Sequence, residues 1–308
     1  MNATLTRTRT SSEGHGTEAR HAAGRSPKSS MRRKGALHVL RRSVSGAGAL
    51  VWTAIVIVPV YWLVVTSLRS RAEFTRQKPL SLPHHPTLSN YRTVLDGDFA
   101  TYLLNSVVVT AATVVLTVIA ALMAAFVIVR YRTRWSRLSF RLYLLGLAIP
   151  LQAVLVPVYL LIIRLHLYDS LPAIVLPSVA FALPITVMIL VSFLRDVPGS
   201  LFEAMVMDGA DDWRMLWSLA LPLTRPALIT VAVYDGLQVW NGFLFPLILT
   251  QSNDKAVLPL ALTLYRGQFG INVPATMAAV VLSTLPMLAV FVLARKQLVA
   301  GLTAGFSK

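Results

Sequence analysis

The chain has 308 residues, of which 55% are hydrophobic and only 14% are charged, and its formal net charge is +16. A soluble domain carries about 25% charged residues because water has to cover its surface, so this composition excludes a soluble globular protein of this size. The sequence contains no cysteine, which excludes disulfides, thiolate catalysis and cysteine-ligated metals. We therefore expect an all-α integral membrane protein.

The N-terminal segment 1–46 carries ten of the 29 lysines and arginines against two acids, Glu13 and Glu18. Its serine, arginine and glycine content and its lack of apolar periodicity are typical of a disordered, solvated tail. Because the positive charge is concentrated ahead of the apolar part of the chain, it does not indicate a nucleic-acid partner. It indicates a cytoplasmic tail with a weak attraction to anionic lipid headgroups.

The remainder, 47–308, contains six apolar runs of the length that a helix needs to cross a bilayer, about 20 residues. The second run is longer than a bilayer is thick, so we expect it to tilt or to include a turn outside the membrane. The fifth run is interrupted only by Asp235. The six runs are 47–68, 99–129, 142–163, 171–194, 226–250 and 276–294.

The orientation follows from the basic residues that flank the runs. The segment 130–141 holds five arginines and is the most basic of the short loops, which places it and both termini in the cytoplasm. The first run is too long for the core of a signal peptide and has no small-residue cleavage site after it. We therefore expect it to remain as a membrane span.

The loop 195–225, cytoplasmic in this orientation, has signals of ordered structure. Ser200 and Glu203 have the spacing of a capping box, in which each side chain bonds to a free backbone amide of the other residue. This pattern predicts a short helix that begins at Ser200, runs to Asp208 and ends at Gly209, because glycine adopts the left-handed conformation readily. Glu203 and Asp208 would then be exposed near a bend.

A second short helix is expected to begin at Asp211 or Asp212, either of which can cap it, and to end at Pro222. The spacing of four apolar residues predicts one amphipathic face, formed by Trp213, Leu216, Trp217 and Ala220. Such a helix pair can lie in the lipid headgroups or dock into a soluble partner. The exposed acids favour docking, since the cytoplasmic leaflet is itself negative.

The loop resembles that of binding-protein-dependent ABC importer permeases, which reads Glu-Ala-Ala, three residues, glycine, nine residues and Ile-x-Leu-Pro. The matching positions are Glu203, Ala204, Met205, Asp208, Gly209 and 219–222. Met205 and Leu219 depart from the pattern but are apolar helix formers. Other stretches resemble the sugar-importing branch, in particular the smaller permease subunit of maltose-type importers; they are 104–106, 150–152, 156–159, 240–243 and 295–305.

The resemblance implies a type I ABC importer permease fold with six transmembrane helices and cytoplasmic coupling helices, with the family core at about 100–295. It implies that the 199–222 loop sits in a cleft of a separate ATPase subunit. The residues that would carry this contact and fix the loop to the fifth span are Glu203, Ala204, Asp208, Gly209, Leu221 and Pro222.

The implied partners are a pair of ABC ATPase subunits, a second homologous permease subunit and an extracytoplasmic sugar-binding protein. The binding protein would dock on the loops 69–98 and 251–275. No lysine in this sequence follows a glycine, so there is no Walker motif. We therefore expect no cofactor on this chain, and ATP with Mg²⁺ on the partner ATPase.

Polar residues within the spans are candidates for a substrate pathway. An ionisable group inside the membrane indicates a functional site, although it can equally form an ion pair or hydrogen bond between subunits. Amides and aromatic rings can grip a sugar, but more often they join helices. The candidates are Asn105, Gln152, Asp235, Trp240 and Asn241.

Two further classes of function remain as alternatives. A secondary transporter would need charged relays in several spans and an internal repeat, whereas Asp235 is the one acid in an apolar run. A membrane scaffold that recruits a soluble partner would leave the polar span residues without a role. An enzyme is not expected, because no catalytic or metal-binding motif is present; the adjacent His84 and His85, for example, cannot share a helix face.

Overall fold

A computed structural model of the chain describes residues 28–131, 133–264 and 272–304. The described residues up to Val58 and those from Pro59 onwards form two compact units. The described residues contain thirteen α-helices: α1 (Lys28–Ser67), α2 (Arg71–Arg76), α3 (Ser89–Leu95), α4 (Phe99–Arg130), α5 (Arg134–Gly146), α6 (Leu151–Arg164), α7 (Leu171–Arg195), α8 (Gly199–Met207), α9 (Asp212–Met215), α10 (Leu221–Trp240), α11 (Leu244–Leu249), α12 (Leu258–Leu264) and α13 (Val273–Ala304).

Five stretches of the described chain are helical, long and apolar enough to cross a membrane: Gly48–Ser67, Phe99–Arg130, Leu171–Arg195, Asp212–Trp240 and Val273–Arg295. A bent pair, α5 with α6, takes the place of the sixth predicted span. The second predicted run is one unbroken helix of 32 residues, so it includes no turn. Helix α1 begins at Lys28, within the segment for which the sequence predicts a disordered tail.

The predicted span over 142–163 is not one continuous helix. Helices α5 and α6 meet at an angle of 104°. Pro150 precedes α6 in an extended conformation, with φ −70° and ψ 130°, and the residue before a proline is disfavoured in the α conformation. At the end of α5, a Cβ on Gly146 would lie 3.0 Å from Cγ of Pro184, so the missing side chain lets α5 approach α7 closely.

The predicted end of the second loop helix at Pro222 is also wrong. Helix α9 continues through a π-helical turn, Leu216–Ala220, directly into α10. In this turn the Leu221 N–H bonds to the Leu216 carbonyl, one residue further back than in an α-helix. Pro222 has no N–H and would clash with the carbonyl four residues back in a regular helix, so the wider turn accommodates it.

The fifth predicted run, 226–250, is divided in the structure. Helix α10 ends at Trp240, and the separate helix α11 follows after a break at 241–243. A Cβ on Gly242 would lie 3.0 Å from the Val239 carbonyl oxygen, so this break needs a residue without a side chain. The uniformly apolar composition of the run does not indicate this division.

The core lies where α4, α7 and α10 pack together. Ala121 and Ala125 of α4 are fully buried, as are Leu190 of α7 and Val231 of α10. Small residues at such contacts let helix backbones approach, which is the main source of packing energy between helices in lipid. The three-helix core connects the two ends of the molecule: the loop end, where α8 and α9 lie, and the opposite end, where α4 begins.

Candidate functional site

Helix α8 and the turn that ends it carry four of the six predicted coupling residues, but the helix does not begin with the predicted capping box. Its first residue is Gly199 and its N-cap is Pro198, with no side-chain hydrogen bond at the cap. Ser200 therefore lies within the first turn of the helix, where its hydroxyl cannot serve as the N-cap group. The predicted helix start is one residue late because Pro198 can hold the cap conformation without a side-chain acceptor.

The end of α8 confirms the prediction for Gly209. Gly209 has φ +74°, and its N–H donates to the Val206 carbonyl at 3.0 Å. The Ala210 N–H donates to the Met205 carbonyl at 2.9 Å. These two bonds form a Schellman motif, which turns the chain sharply after Asp208. The turn fixes the angle at which α8 leaves the rest of the loop.

Glu203 and Ala204 on this helix are exposed, and so are Asp208 and Gly209 in the turn after it. Phe202, next to Glu203, is buried and its ring lies 6.3 Å from that of Phe126 in α4. One face of α8 is thus attached to the core while the other is open. A force applied to the open face would be transmitted through Phe202 to α4, since a close-packed core moves as a rigid body.

Helix α9 is joined to the core in a similar way. Its N-cap is Asp211, as predicted, with Oδ1 accepting from the Arg214 N–H at 2.8 Å. The Tyr131 hydroxyl at the end of α4 donates to the Asp212 carboxylate, and this hydrogen bond raises the pKa of Tyr131. The loop is therefore attached to α4 at two points, through Phe202 and through Asp212.

The predicted amphipathic face of the second loop helix is wrong. Leu216 and Ala220 are buried, as is Met215, whereas Trp213 and Trp217 are 56% and 52% exposed. The two indole rings stack with their centroids 6.2 Å apart. The π-helical turn shifts the helical period by one residue, so positions that share a face in a regular α-helix do not share one here. Leu221 and Pro222, the last predicted coupling residues, are half-buried at the start of α10.

A cavity of about 410 Å³ lies between α4, α7, α10 and α11. Its lining combines polar side chains with apolar ones that include the ring of Phe181. The mixture of polar groups with aromatic rings is typical of small-molecule sites. Its lining residues include Ser106, Thr110, Ser178, Tyr234, Asp235, Gln238, Trp240 and Phe243.

The structure brings two of the five predicted pathway residues to this cavity, Asp235 and Trp240. Asp235 is 1% exposed, and its Oδ2 accepts a hydrogen bond from the Thr186 hydroxyl of α7 at 2.8 Å. Trp240 donates through Nε1 to the Ser283 carbonyl of α13 at 3.2 Å, which leaves the face of its indole to line the cavity. Asp235 thus has both of the predicted roles: it forms a hydrogen bond between two helices, and it lines a cavity.

The other three predicted pathway residues lie outside the cavity lining. Gln152 is exposed near the start of α6, and Asn241 is exposed and bonds to the Leu237 carbonyl of its own helix at 2.8 Å. Asn105 donates through Nδ2 to the carbonyls of Asp254 and Ala256, both at 2.9 Å. Asn105 therefore attaches the segment 250–258 to the start of α4.

Two residues were not predicted from the sequence: one lines the cavity, and the other holds the segment 250–258. Gln238 lines the cavity three residues after Asp235, a helical spacing that could have identified it. Asp169, with φ +58°, accepts hydrogen bonds from the backbone N–H groups of Gln251 and Ser252 at 2.8 and 3.0 Å. The Ser252 hydroxyl also bonds to it, and these hydrogen bonds lower the pKa of Asp169. No sequence pattern links Asp169 to a segment 82 residues away.

Comparison with known proteins gives consistent matches. Residues 101–303 match the family described as binding-protein-dependent transport system inner membrane component. The chain is 34% identical over 266 residues to a diacetylchitobiose uptake system permease protein from Streptomyces coelicolor, covering 85% of this chain and 88% of the relative. It is 32% identical over 276 residues to a trehalose/maltose transport system permease protein from Thermococcus litoralis, covering 88% and 98%.

A solved structure has the same fold. It is the crystal structure of a bacterial ABC transporter involved in the import of the acidic polysaccharide alginate, one chain of which matches with a TM-score of 0.73. The identity is 21%, and the match covers 86% of this chain and 97% of that one. The expected all-helical importer permease fold is therefore confirmed.

Proposed function

The chain belongs to the family of binding-protein-dependent transport system inner membrane components, and we propose that it is the permease subunit of an ATP-driven sugar importer. It crosses the cell membrane several times. The two relatives described above are permeases for diacetylchitobiose and for trehalose or maltose, which supports a sugar as the substrate. The observation that carries the proposal is the exposed α8 surface attached to the core through Phe202.

In this proposal α8 is the coupling helix, with Glu203, Ala204, Asp208 and Gly209 contacting an ATPase subunit. ATP binding closes a pair of ATPase subunits, and the movement is passed through α8 and the Phe202–Phe126 contact to α4. ATP drives the change only through its different affinity for the two arrangements. Leu221 and Pro222 hold the loop to α10, where the π-helical turn makes the junction continuous.

The proposal needs partners and an orientation. Hydrolysis of ATP with Mg²⁺ is assigned to the ATPase subunits, so this chain is not itself an enzyme. A second permease subunit completes the pathway, and a sugar-binding protein docks on the loops 69–98 and 251–275. Both termini and α8 lie in the cytoplasm in this arrangement, as the five arginines of 130–141 favour.

Reconstitution tests the function. The affinity-purified complex of the full-length chain is placed in proteoliposomes with ATP inside and binding protein and labelled sugars, including maltose and diacetylchitobiose, outside. We expect uptake that requires internal ATP and that persists when ionophores collapse the ion gradients. Uptake without ATP that ionophores abolish would identify an ion-coupled transporter instead, and binding without any uptake would identify a scaffold.

Asp235 is the residue of this chain that we propose contacts the sugar, since a carboxylate on the cavity wall can accept hydrogen bonds from hydroxyl groups. A hydrogen bond to a charged group contributes about 1.5–3 kcal/mol, so Asp235→Ala should lower kcat/KM for uptake by roughly 10-fold or more. Thr186→Val removes the hydrogen bonds of this hydroxyl to Asp235 and to the Ala182 carbonyl but keeps the carboxylate, and it should change uptake less than about threefold. An equal loss in both variants would assign Asp235 to helix packing.

A further inference from the structure

A second pocket lies at the loop end, beside α8 and apart from the cavity that contains Asp235. It has a volume of about 930 Å³ and is formed by the end of α4, one side of α5, the end of α7 and the start of α8. Four arginines line it: Arg130, Arg137, Arg141 and Arg195. Of its lining residues, the proposed function uses Phe202 and Glu203 of α8 but assigns no binding role to the four arginines.

The pocket has a strong excess of positive charge. Its single acidic lining residue is Glu203, which is exposed. Arg195 lies over the Phe140 ring at 5.0 Å, and Nε of Arg130 is buried without a hydrogen-bond partner. Four guanidinium groups against one carboxylate in the lining favour a bound anion, and their planar donors suit phosphate oxygens.

Helix α5 also presents an apolar surface next to this basic one. Ser136, Phe140 and Tyr143 face the core, and Arg137 and Arg141 follow at about 100° around the helix. The next strip around the helix is apolar and exposed, with Trp135 78%, Leu142 58% and Leu145 63% exposed. A tryptophan and leucines beside arginines are typical of a helix that lies at the boundary of lipid chains and headgroups.

We propose that this pocket binds the headgroup of an acidic phospholipid, with the phosphate among the four arginines and the acyl chains along the apolar strip of α5. A soluble anion would use the arginines but not the strip, which borders the arginines around α5 and offers an apolar surface for acyl chains. Because Gly199 and Glu203 of α8 form one wall of the pocket, a bound headgroup would hold the coupling helix. This inference goes beyond the proposed sugar import.

The experiment uses Trp135 as a reporter. The full-length protein in its complex is placed in phosphatidylcholine nanodiscs with increasing fractions of dibrominated phosphatidylglycerol, which quenches a tryptophan that it touches. The difference between wild type and Trp135→Phe isolates the emission of Trp135. We expect preferential quenching by phosphatidylglycerol over brominated phosphatidylcholine. The preference should fall by about 25-fold in Arg137→Gln/Arg141→Gln, since each basic residue near the surface contributes about fivefold.

Two variants serve as controls. Arg76→Gln/Arg92→Gln removes the same charge from the loop 69–98 and should keep the wild-type preference. Arg137→Lys/Arg141→Lys keeps the charge and should retain most of the preference for phosphatidylglycerol, because the main attraction is electrostatic.

Three outcomes would overturn the proposal. The first is equal quenching by both brominated lipids in the wild type. The second is release of phosphatidylglycerol by inorganic phosphate, which would assign the pocket to a free anion. The third is an unchanged lipid preference in Arg137→Gln/Arg141→Gln together with loss of the ATPase subunit, which would assign the pocket to a protein interface.

Discussion

Glu203→Lys is expected to abolish ATP-driven uptake while leaving the membrane domain folded. Glu203 is exposed on α8, so its replacement should change the free energy of unfolding by no more than about 0.5 kcal/mol. At an interface, loss of one partner of a hydrogen-bonded charge pair costs about 2–5 kcal/mol, which corresponds to a roughly 30-fold or greater loss of affinity for the ATPase. Affinity purification should recover the second permease subunit but not the ATPase, and uptake should fall in parallel.

Two further variants make this prediction specific. Glu13→Lys makes the same charge reversal in the N-terminal tail and should leave uptake unchanged. Gly209→Ala changes no charge, and its Cβ would meet no atom within 4 Å, so its effect comes from the φ of +74° alone. The strain of about 1–2 kcal/mol should change the angle between α8 and the rest of the loop. The amount of ATPase recovered should therefore fall partially. If Glu203→Lys retains the ATPase at wild-type affinity, α8 is not the coupling surface.

The second large effect is expected from Asn105→Leu. This change leaves the carbonyls of Asp254 and Ala256 without their donor, and Ala256 is only 2% exposed. A buried acceptor that loses its partner costs about 1–3 kcal/mol, so the loss at Ala256 should lower Tm by roughly 3 °C or more, whereas Asp254 is exposed and its carbonyl can bond to water. Thermal unfolding of the complex in detergent measures this shift. Stimulation of ATPase activity by the binding protein should also fall, because the segment 250–258 loses an attachment.

The chain provides a matched control for this experiment. Asn241 makes a similar hydrogen bond, but to the Leu237 carbonyl of its own helix, and its side chain is exposed. Asn241→Leu should therefore change Tm by less than about 2 °C. ATPase recovery should be normal in both variants, which separates this effect from that of Glu203→Lys. Equal Tm values for Asn105→Leu and wild type would mean that the segment is held by other contacts.

Features set by local chemistry were predictable from the sequence. Apolar length identified the membrane-crossing helices, and Gly209 and Asp211 identified a helix end and a helix start because these residues satisfy backbone groups within three positions. Local rules failed where tertiary structure decides. A membrane helix tolerates Pro222 through a π-helical turn, and neighbouring helices permit the 104° bend before Leu151.

The candidate sites were predictable to different extents. The proposed coupling surface is formed by one continuous segment, so a sequence motif alone is enough to place Glu203 and Asp208 on it. The cavity is assembled from four helices, so the polarity of a single residue does not reveal which way it faces. Asp235 and Gln238 reach the cavity, whereas Asn105 is used to hold a distant segment.

The attachment of Asn105 has a consequence for the biosynthesis of the protein. Its acceptor at Asp254 lies 149 residues further along the chain, so at about 5–20 residues per second the ribosome needs roughly 7–30 s to supply it. During that interval α4 must remain in the membrane with an unsatisfied amide close to its first turn. The position near the helix end keeps this amide within reach of interfacial water. Closure of this end of the molecule is thus a late event, which must wait until residues 254–256 have been synthesised.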